Sequence, residues 1–335
     1  MLIRLFISNF NMKRFLIDIL LFVLLVLGIA TIGDFLVSSG LRKTTIRPYA
    51  VWNDIYNGNN LNNDLVFIGA SSCWAHYNPH IIDSILGISS YNLGIDGHSW
   101  YPCQPLRYNT YVKYTHAPEY VIINIDMGTF GVMTAPYERE QFFPYFWLDD
   151  SLISQVREMK EITSMDRYCP IWRYIGYRKW IETGVASTFG KKCFEDDGVY
   201  KGHRGNTYPW DRASLNTMDS VTIEFNEFVA DSMLHFIANR KAQGQTVLLV
   251  KTPIYYELQE RFTNRAEMCA RYDSIAKVAD VRLLDYWEHS IVQDSTYFCN
   301  STHLNKLGAD LISTQLAHDL DSLGIIPTKY RNHNN

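Results

Sequence analysis

Two short segments near opposite ends of the chain carry the residue types that acyl transfer through a serine requires. The first, Gly69, Ala70 and Ser71, ends a run of apolar residues with a small, hydroxyl-bearing turn. The second places His303 just before the segment whose pattern predicts the last helix. Because a serine nucleophile needs a neighbouring imidazole to take its proton, Ser71 and His303 are the candidate catalytic pair.

The two side chains can meet only if the fold gathers strand ends at one edge. Five short apolar runs predict buried strands, and the segments between them carry helical periodicity. Alternating strands and helices predict an α/β domain with a mostly parallel five-stranded sheet and helices on both faces, which binds ligands at the carboxyl ends of its strands. The predicted strands are 64–68, 91–93, 120–125, 246–250 and 281–285.

An insertion interrupts this α/β domain. Residues 64–130 and 221–327 form the two halves of the domain, and residues 131–220 are an aromatic-rich insertion that we interpret as a cap over the carboxyl edge of the sheet. The aromatic side chains of the insertion either form a platform for sugar rings or pack the cap onto the core. Residues 328–335 are a short tail.

The first forty residues differ in kind from the rest. Residues 15–37 form an apolar stretch of the length needed to cross a bilayer as a helix, with a short tail at 1–14 before it and a polar linker at 38–63 after it. We predict a single amino-terminal membrane anchor, with the globular domain on the extracytoplasmic side. A cleaved signal peptide is the alternative, because small residues follow the apolar stretch.

Composition and charge argue against several classes of function. With 47% hydrophobic and 20% charged residues the chain can bury an ample core, and a net charge of −4 without a basic run gives no support for nucleic-acid binding. The sequence contains no C-x-x-C pair and no phosphate-binding glycine loop, so we predict neither a metal nor a cofactor. His76 and His80 are four residues apart, but Pro79 disfavours a metal pair on one helix.

The motifs resemble those of the SGNH/GDSL hydrolase superfamily, and especially its membrane-anchored cell-envelope branch, which includes relatives of bacterial alginate O-acetylation proteins and of the D-alanyl-lipoteichoic acid transfer protein. The resemblance covers about residues 60–325 outside the insertion, and it implies a flavodoxin-like, three-layer αβα fold. It also implies that Ser71 is the nucleophile and that the amides of Ser71 and Gly97 form the oxyanion hole. The matching residues are Gly69 and Ser71 of the Gly-x-Ser block, Gly97 of the second block, and His303, Leu304, Asn305 and Gly308 of the last block.

The chain departs from the family pattern at the residue that should orient the histidine. The family's aspartate, three residues before the histidine, is Asn300 here. An amide oxygen can hold the tautomer of His303, but it offers no charge to the imidazolium. A serine–histidine dyad, or an auxiliary carboxylate from Asp294, Asp126 or Asp285, is the alternative support. The family's third block falls on residues 124–129, where the alignment identifies no oxyanion-binding asparagine.

These residues predict a serine-dependent esterase or O-acyltransferase that acts on a cell-envelope carbohydrate through an acyl-enzyme. Ser71 attacks the ester carbonyl, His303 carries the proton, and Asn300 orients His303. The expected partners are an envelope carbohydrate or acyl donor, and a membrane acyltransferase. The alternative, favoured by Asn300, is a catalytically weakened or inactive envelope protein of the same fold that binds glycan or a partner membrane acyltransferase.

Overall fold

The computed structural model describes residues 11–58, 61–133, 137–157, 162–192, 198–217 and 219–328. Within these ranges, contacts group the chain into two compact units. Unit 1 consists of the described residues up to Thr44 together with 140–150 and 162–192. Unit 2 consists of the other described residues from Thr45 onward and contains the sheet.

Helices and strands alternate along much of the chain. The α-helices are α1 (Met12–Leu41), α2 (Ala50–Asn57), α3 (Ser71–His76), α4 (Pro79–Leu86), α5 (Cys103–Tyr114), α6 (Asp150–Val156), α7 (Ser164–Tyr168), α8 (Arg178–Thr188), α9 (Ala213–Asn216), α10 (Glu227–Ala242), α11 (Tyr256–Glu260), α12 (Arg265–Ala279) and α13 (Lys306–Ser322). The strands are β1 (Leu65–Ile68), β2 (Ser90–Asn92), β3 (Tyr120–Ile125), β4 (Thr246–Lys251), β5 (Arg282–Asp285), β6 (Phe298–Asn300) and β7 (His303–Leu304). Short 3₁₀ turns occupy Arg139–Tyr145, Trp172–Tyr174, Ser290–Gln293 and Ser295–Tyr297.

The core of unit 2 is a five-stranded sheet in the order β2-β1-β3-β4-β5 with every neighbouring pair parallel. This confirms the predicted α/β class and the five predicted strands, each within one or two residues of its predicted bounds. All four side chains of β1 are buried. A continuous apolar run is therefore the signature of a strand covered on both faces, as the sequence indicated.

The strand order creates a crevice at one point of the sheet. The chain moves from β1 outward to β2 and then returns past β1 to β3, β4 and β5. Because parallel crossovers are right-handed, the helices of the first connection and those of the later ones cover opposite faces. The loops after β1 and β3 therefore diverge, and ligands bind in the crevice at such a switch point.

Unit 1 is organised around α1, a 30-residue helix. From Met12 to Ile32 nearly all of its side chains are exposed, and they are mostly apolar. This helix is long and apolar enough to cross a membrane, which is compatible with either an anchor or a signal sequence.

The carboxyl-terminal end of α1 is packed into unit 1. The backbones of α1 and α8 touch, since a Cβ added to Gly184 would lie 2.4 Å from the carbonyl oxygen of Val37. Asp34 forms an ion pair with Arg173, and the side chains of both residues are almost fully buried. This end of α1 is therefore part of the core of unit 1.

The structure divides the chain differently from the predicted boundaries. The proposed linker at 38–63 contains the end of α1 and the whole of α2. The proposed insertion is shared, because residues 140–150 and 162–192 belong to unit 1 and the rest of its described residues belong to unit 2. Most of its aromatic side chains in unit 1 are buried, which favours the packing interpretation for Phe142, Phe143, Tyr145, Phe146, Tyr174 and Trp180.

Candidate active site

Ser71 is the first residue of α3 and follows directly from the carboxyl end of β1. The turn between them is tight because Gly69 lies against its neighbours. A Cβ added there would be 2.6 Å from the Cβ of Cys73 and 2.7 Å from that of Asn124. A glycine at this position lets β1 and β3 hold the turn close, and this places the Ser71 hydroxyl at the switch point of the sheet.

His303 lies in a short antiparallel hairpin just before α13, formed by β6 and β7. Its Nε2 is 2.8 Å from the Oγ of Ser71. The structure therefore brings together the early hydroxyl and the late imidazole that the sequence singled out. Their separation is that of a hydrogen bond between a nucleophile and its base.

Asn300 lies directly across the hairpin from His303. Its Oδ1 is 3.1 Å from Nδ1 of the imidazole and accepts hydrogen bonds from the backbone amides of Thr302 (3.0 Å) and His303 (2.9 Å). Because only the oxygen of the amide can accept these bonds, Oδ1 faces the ring. The hydroxyl of Thr302, 3.0 Å from Nδ1, donates to the same Oδ1 at 3.1 Å, so its oxygen can also accept from the ring. We therefore assign the proton to Nδ1, which leaves Nε2 to accept the hydrogen bond from Ser71.

Burial holds the imidazole neutral. Desolvation lowers the pKa of His303, and the Arg47 guanidinium lowers it further, whereas the carboxylates of Asp96 and Asp126 partly offset the shift. A lowered pKa keeps the ring in the form that can accept a proton at neutral pH. The two carboxylates would stabilise a protonated imidazole at this position.

Asp126 follows the carboxyl end of β3 and contacts Ser72, the residue after Ser71. The Oδ2 of Asp126 accepts a hydrogen bond of 2.6 Å from the hydroxyl of Ser72. The Oγ of Ser72 in turn accepts a hydrogen bond of 2.8 Å from the side-chain amide of Asn124. Asn124 is fully buried, and its Oδ1 accepts a bond from Tyr77. Ser72 and Asn124 therefore tie β3 to α3, and the amide of Asn124 is already used by Ser72.

Asp294 and Asp285, the other two candidate auxiliary carboxylates, have described partners other than His303. Among the described contacts of Asp294, its Oδ1 caps the turn Ser295–Tyr297 by accepting from the amide of Thr296 at 2.9 Å, and its side chain is exposed. Asp285 forms an ion pair with Lys251. Neither is among the charges that shift the pKa of His303. Among the described contacts the carboxylate of Asp294 serves as a local cap, and an auxiliary role for it stays a prediction.

Gly97, in the loop after β2, has the left-handed backbone conformation with a φ of +61°. A Cβ at this position would lie 2.5 Å from the ring of Tyr137. Both the conformation and the crowding require glycine. Gly97 shares the walls of two cavities with Ser71 and His303.

Two cavities in unit 2 meet at the serine–histidine pair. The first has a volume of 490 Å³ and combines Ser71 and His303 with apolar residues and two acids, Asp126 and Glu224. The second has a volume of 390 Å³ and is lined by aromatic and amide side chains, including Tyr137 and Tyr208. The pair therefore lies between a cavity that combines apolar residues with two acids and an aromatic cavity that carries one acid, Asp96. Among the described residues, no group of three His, Cys, Asp or Glu side chains is placed to hold a metal.

Two further contacts position the site, and the sequence did not reveal them. His76, fully buried in α3, accepts a hydrogen bond of 2.9 Å at Nε2 from the amide of Leu304, the residue after the histidine. Trp74, also in α3, donates its ring N–H to Asp96 at 2.9 Å, and its ring stacks near that of His303. These partners lie far apart in the chain, so no spacing rule identifies them.

Comparisons with known proteins add limited information. The sequence matches no protein-family profile and no curated protein. The chain is similar to the crystal structure of a proposed acylhydrolase from Bacteroides fragilis, with 12% identity and a TM-score of 0.42, over 83% of this chain and 99% of that one. It is also similar to a family two carbohydrate esterase from Clostridium thermocellum in complex with cellohexaose, with 13% identity and a TM-score of 0.34, over 79% of this chain and 65% of that one. This chain thus spans less than two thirds of that esterase, and at these scores neither similarity carries an inference about activity.

Proposed function

We propose that the protein is a serine-dependent esterase or O-acyltransferase that acts on a carbohydrate ester through an acyl-enzyme. The observation that carries the proposal is the hydrogen-bonded chain from Ser71 Oγ to His303 Nε2 and from His303 Nδ1 to Asn300 Oδ1, at 2.8 and 3.1 Å. This chain supports Ser71 as the nucleophile, His303 as the base and Asn300 as the group that orients the imidazole.

The proposed reaction balances with these groups alone. As Ser71 Oγ bonds to the acyl carbon, its proton moves to Nε2 of His303. Collapse of the tetrahedral intermediate breaks the ester C–O bond, and the leaving alcohol takes that proton. Water or a sugar hydroxyl then attacks the acyl-enzyme, gives its proton to His303, and releases Ser71 with its hydrogen restored. Hydrolysis and transfer therefore differ only in the final acceptor.

The amides of Ser71 and Gly97 are the proposed oxyanion donors. Both residues line the two cavities beside the imidazole, and the crowding at Gly97 fixes the position of its backbone. Donors held in place before the reaction stabilise the charge on the carbonyl oxygen without reorganisation.

The character of the cavities favours an uncharged glycan ester. The larger cavity carries Asp126 and Glu224, and its described lining contains neither lysine nor arginine. A negatively charged acyl group would be repelled there. In the smaller cavity, the exposed rings of Tyr137 and Tyr208 offer the flat apolar surfaces on which sugar rings stack. We assign this cavity to the carbohydrate and the larger one to the acyl side of the ester.

The cellular setting is also a proposal. We propose that α1 remains attached as a single membrane anchor and that unit 2 acts on the extracytoplasmic side, on an envelope carbohydrate, alone or with a membrane acyltransferase. The support is the packing of the end of α1 into unit 1, where Asp34 is the buried partner of Arg173. Cleavage near residues 38–40 would remove Asp34 and leave the guanidinium buried without its counter-charge.

A second candidate function rests on Asn300. An amide behind the histidine offers no full charge to an imidazolium, so a glycan-binding protein that has kept the fold but lost turnover is the competing proposal. The two proposals differ in whether Ser71 is reactive.

A fluorophosphonate probe tests that reactivity directly. We expect the full-length protein in detergent to be labelled, Ser71→Ala to lose labelling, and Ser72→Ala, which removes the adjacent hydroxyl, to keep it. Folded protein that resists the probe would favour the binding protein, and labelling that survives in Ser71→Ala would refute the assignment of the nucleophile. Incubation of the labelling-competent protein with a neutral acetylated glycan, with free acetate and acetylated acceptor measured separately, then distinguishes hydrolysis from transfer.

A further inference from the structure

Unit 1 exposes many large apolar side chains outside α1. They are Trp147, Leu148, Met165, Tyr168, Trp172, Ile175 and Phe189, which we call the apolar collar. Each of the seven is between 43% and 68% exposed. Exposed surfaces rich in large apolar side chains mark sites of contact with a partner or a membrane.

Contacts with α1 fix the level of the collar along that helix. The ring N–H of Trp147 donates to Asp34 at 3.1 Å, and the amide of Ile171, next to Trp172, donates to the same carboxylate at 2.8 Å. Thr188, next to Phe189, donates its hydroxyl to the carbonyl of Leu36 at 2.6 Å. Segments carrying collar residues therefore contact α1 between residues 34 and 36.

That level coincides with the end of the apolar stretch. From Phe15, the first residue after Lys13 and Arg14, to Gly33 the helix spans about 28 Å at the ordinary rise. The hydrocarbon core of a bilayer is about 30 Å thick. If α1 crosses a membrane as proposed, the collar lies where the hydrocarbon gives way to the headgroups.

We propose that the apolar collar is a lipid-binding surface that rests in the interfacial layer of the same membrane that α1 spans. Its occupant is the bilayer, because segments that carry collar residues contact α1 where its exposed apolar stretch ends, and because the collar contains the tryptophan and tyrosine side chains typical of membrane interfaces. Two lysines of unit 1, Lys191 and Lys192, are exposed just after α8 and close in sequence to Phe189 of the collar, where their ammonium groups can meet lipid phosphates.

The collar is held rigidly against the helix. The carboxylate of Asp34 accepts hydrogen bonds from Ser38, Trp147, Ile171 and Arg173. With α1 inserted, unit 1 cannot swing away from the bilayer without breaking this buried cluster. The collar therefore sets the depth and tilt at which unit 1 meets the membrane, whereas α1 alone would only attach the protein to it.

Tryptophan fluorescence in brominated lipid tests the proposal. The chain has eight tryptophans and none lies in α1. Trp147 and Trp172 are 55% and 47% exposed, whereas Trp180, in the same unit, is only 8% exposed. Full-length protein is incorporated into vesicles of phosphatidylcholine with bromines near the top of the acyl chains, and incorporation is measured separately by flotation.

We expect shallow bromines to quench the fluorescence of the floating protein. The double variant Trp147→Phe/Trp172→Phe should lose at least half of the quenched signal, and the matched control Trp180→Phe should retain it. Protein that floats but shows equal quenching in the double variant and the wild type overturns the collar proposal while leaving the anchor intact. Protein that fails to float refutes the anchor and, with it, the collar. Quenching that falls as the protein-to-lipid ratio rises would instead assign the surface to a second copy of the chain and overturn the lipid proposal.

Discussion

Replacing Asn300 by aspartate tests the arrangement behind His303 most directly. The side-chain oxygen of Asn300 already lies 3.1 Å from Nδ1 and accepts two backbone amides of the hairpin. A carboxylate has the same shape and can accept the same hydrogen bonds. The variant therefore changes one quantity, the charge presented to the imidazolium, and leaves the tautomer as it is.

The expected size of the effect follows from this geometry. Two unit charges about 4 Å apart attract by about 4 kcal/mol at an effective dielectric of about 20, which is an upper bound. A charge-assisted hydrogen bond exceeds a neutral one by about 1 to 1.5 kcal/mol, which is a lower estimate. Desolvation of the half-buried carboxylate offsets part of the attraction. We expect a net gain of about 1.4 to 2.8 kcal/mol, or about 10- to 100-fold in kcat/KM.

This gain is smaller than the loss that the reverse change causes in serine proteases. There, replacing the aspartate by asparagine lowers turnover by roughly ten-thousand-fold, because the histidine takes the wrong tautomer. In this protein the amide oxygen of Asn300 already selects the correct tautomer, so the aspartate restores only the charge.

The assay is the hydrolysis of a chromogenic acetyl ester, followed as kcat/KM for the wild type, Asn300→Asp and a matched control. Asn226 caps α10 by accepting from the amide of Val229, so Asn226→Asp adds the same charge at a cap where aspartate serves equally well. The control should match the wild type. Unchanged or reduced kcat/KM in a folded Asn300→Asp protein that still reacts with a fluorophosphonate would refute the reasoning.

Three further predictions concern the base, the oxyanion hole and unit 1. Burial lowers the pKa of His303, so the imidazole stays neutral at pH values below its ordinary pKa of 6.5. The loss of kcat/KM on the acid side of the pH profile should therefore have its midpoint below pH 6.5. Gly97→Ala should lower kcat/KM at least tenfold, because the new Cβ would meet the ring of Tyr137 at 2.5 Å and the backbone has a φ of +61°. Asp34→Asn should lower the free energy of unfolding of unit 1 by about 3 to 5 kcal/mol, measured by denaturant unfolding in detergent, because it leaves the buried Arg173 without a counter-charge.

Matched variants serve as controls for the Gly97 and Asp34 predictions, and each of the three predictions has a result that would contradict it. Gly324 has a similar φ of +67° with open space around it, so Gly324→Ala shares the backbone strain of Gly97→Ala and should keep its activity. Asp150→Asn removes the exposed partner of Arg167 in unit 1 and should cost less than about 1 kcal/mol. An acid limb at or above pH 6.5, activity retained in Gly97→Ala, or equal stability of the two aspartate variants would each contradict the corresponding argument.

The strands of the sheet were predictable because the information is local. A strand covered on both faces must be apolar at successive positions, and β1 and β3 are such runs. The chain direction after each strand then places Ser71 and His303 on the carboxyl edge, which is a topological consequence of parallel pairing. Their catalytic roles stay a prediction, although the structure puts their side chains 2.8 Å apart.

The sequence by itself determined the sheet, the apolar amino-terminal helix and the identity of a hydroxyl and an imidazole that could share an edge, because each depends on composition and periodicity over a few residues. Only the tertiary structure decided which group supports each side chain. It placed the side-chain oxygen of Asn300 beside the imidazole of His303, and it paired the hydroxyl of Ser72 with the carboxylate of Asp126. It also buried the ion pair of Asp34 and Arg173. These choices depend on distances between segments far apart in the chain, and the packing of the whole fold sets those distances.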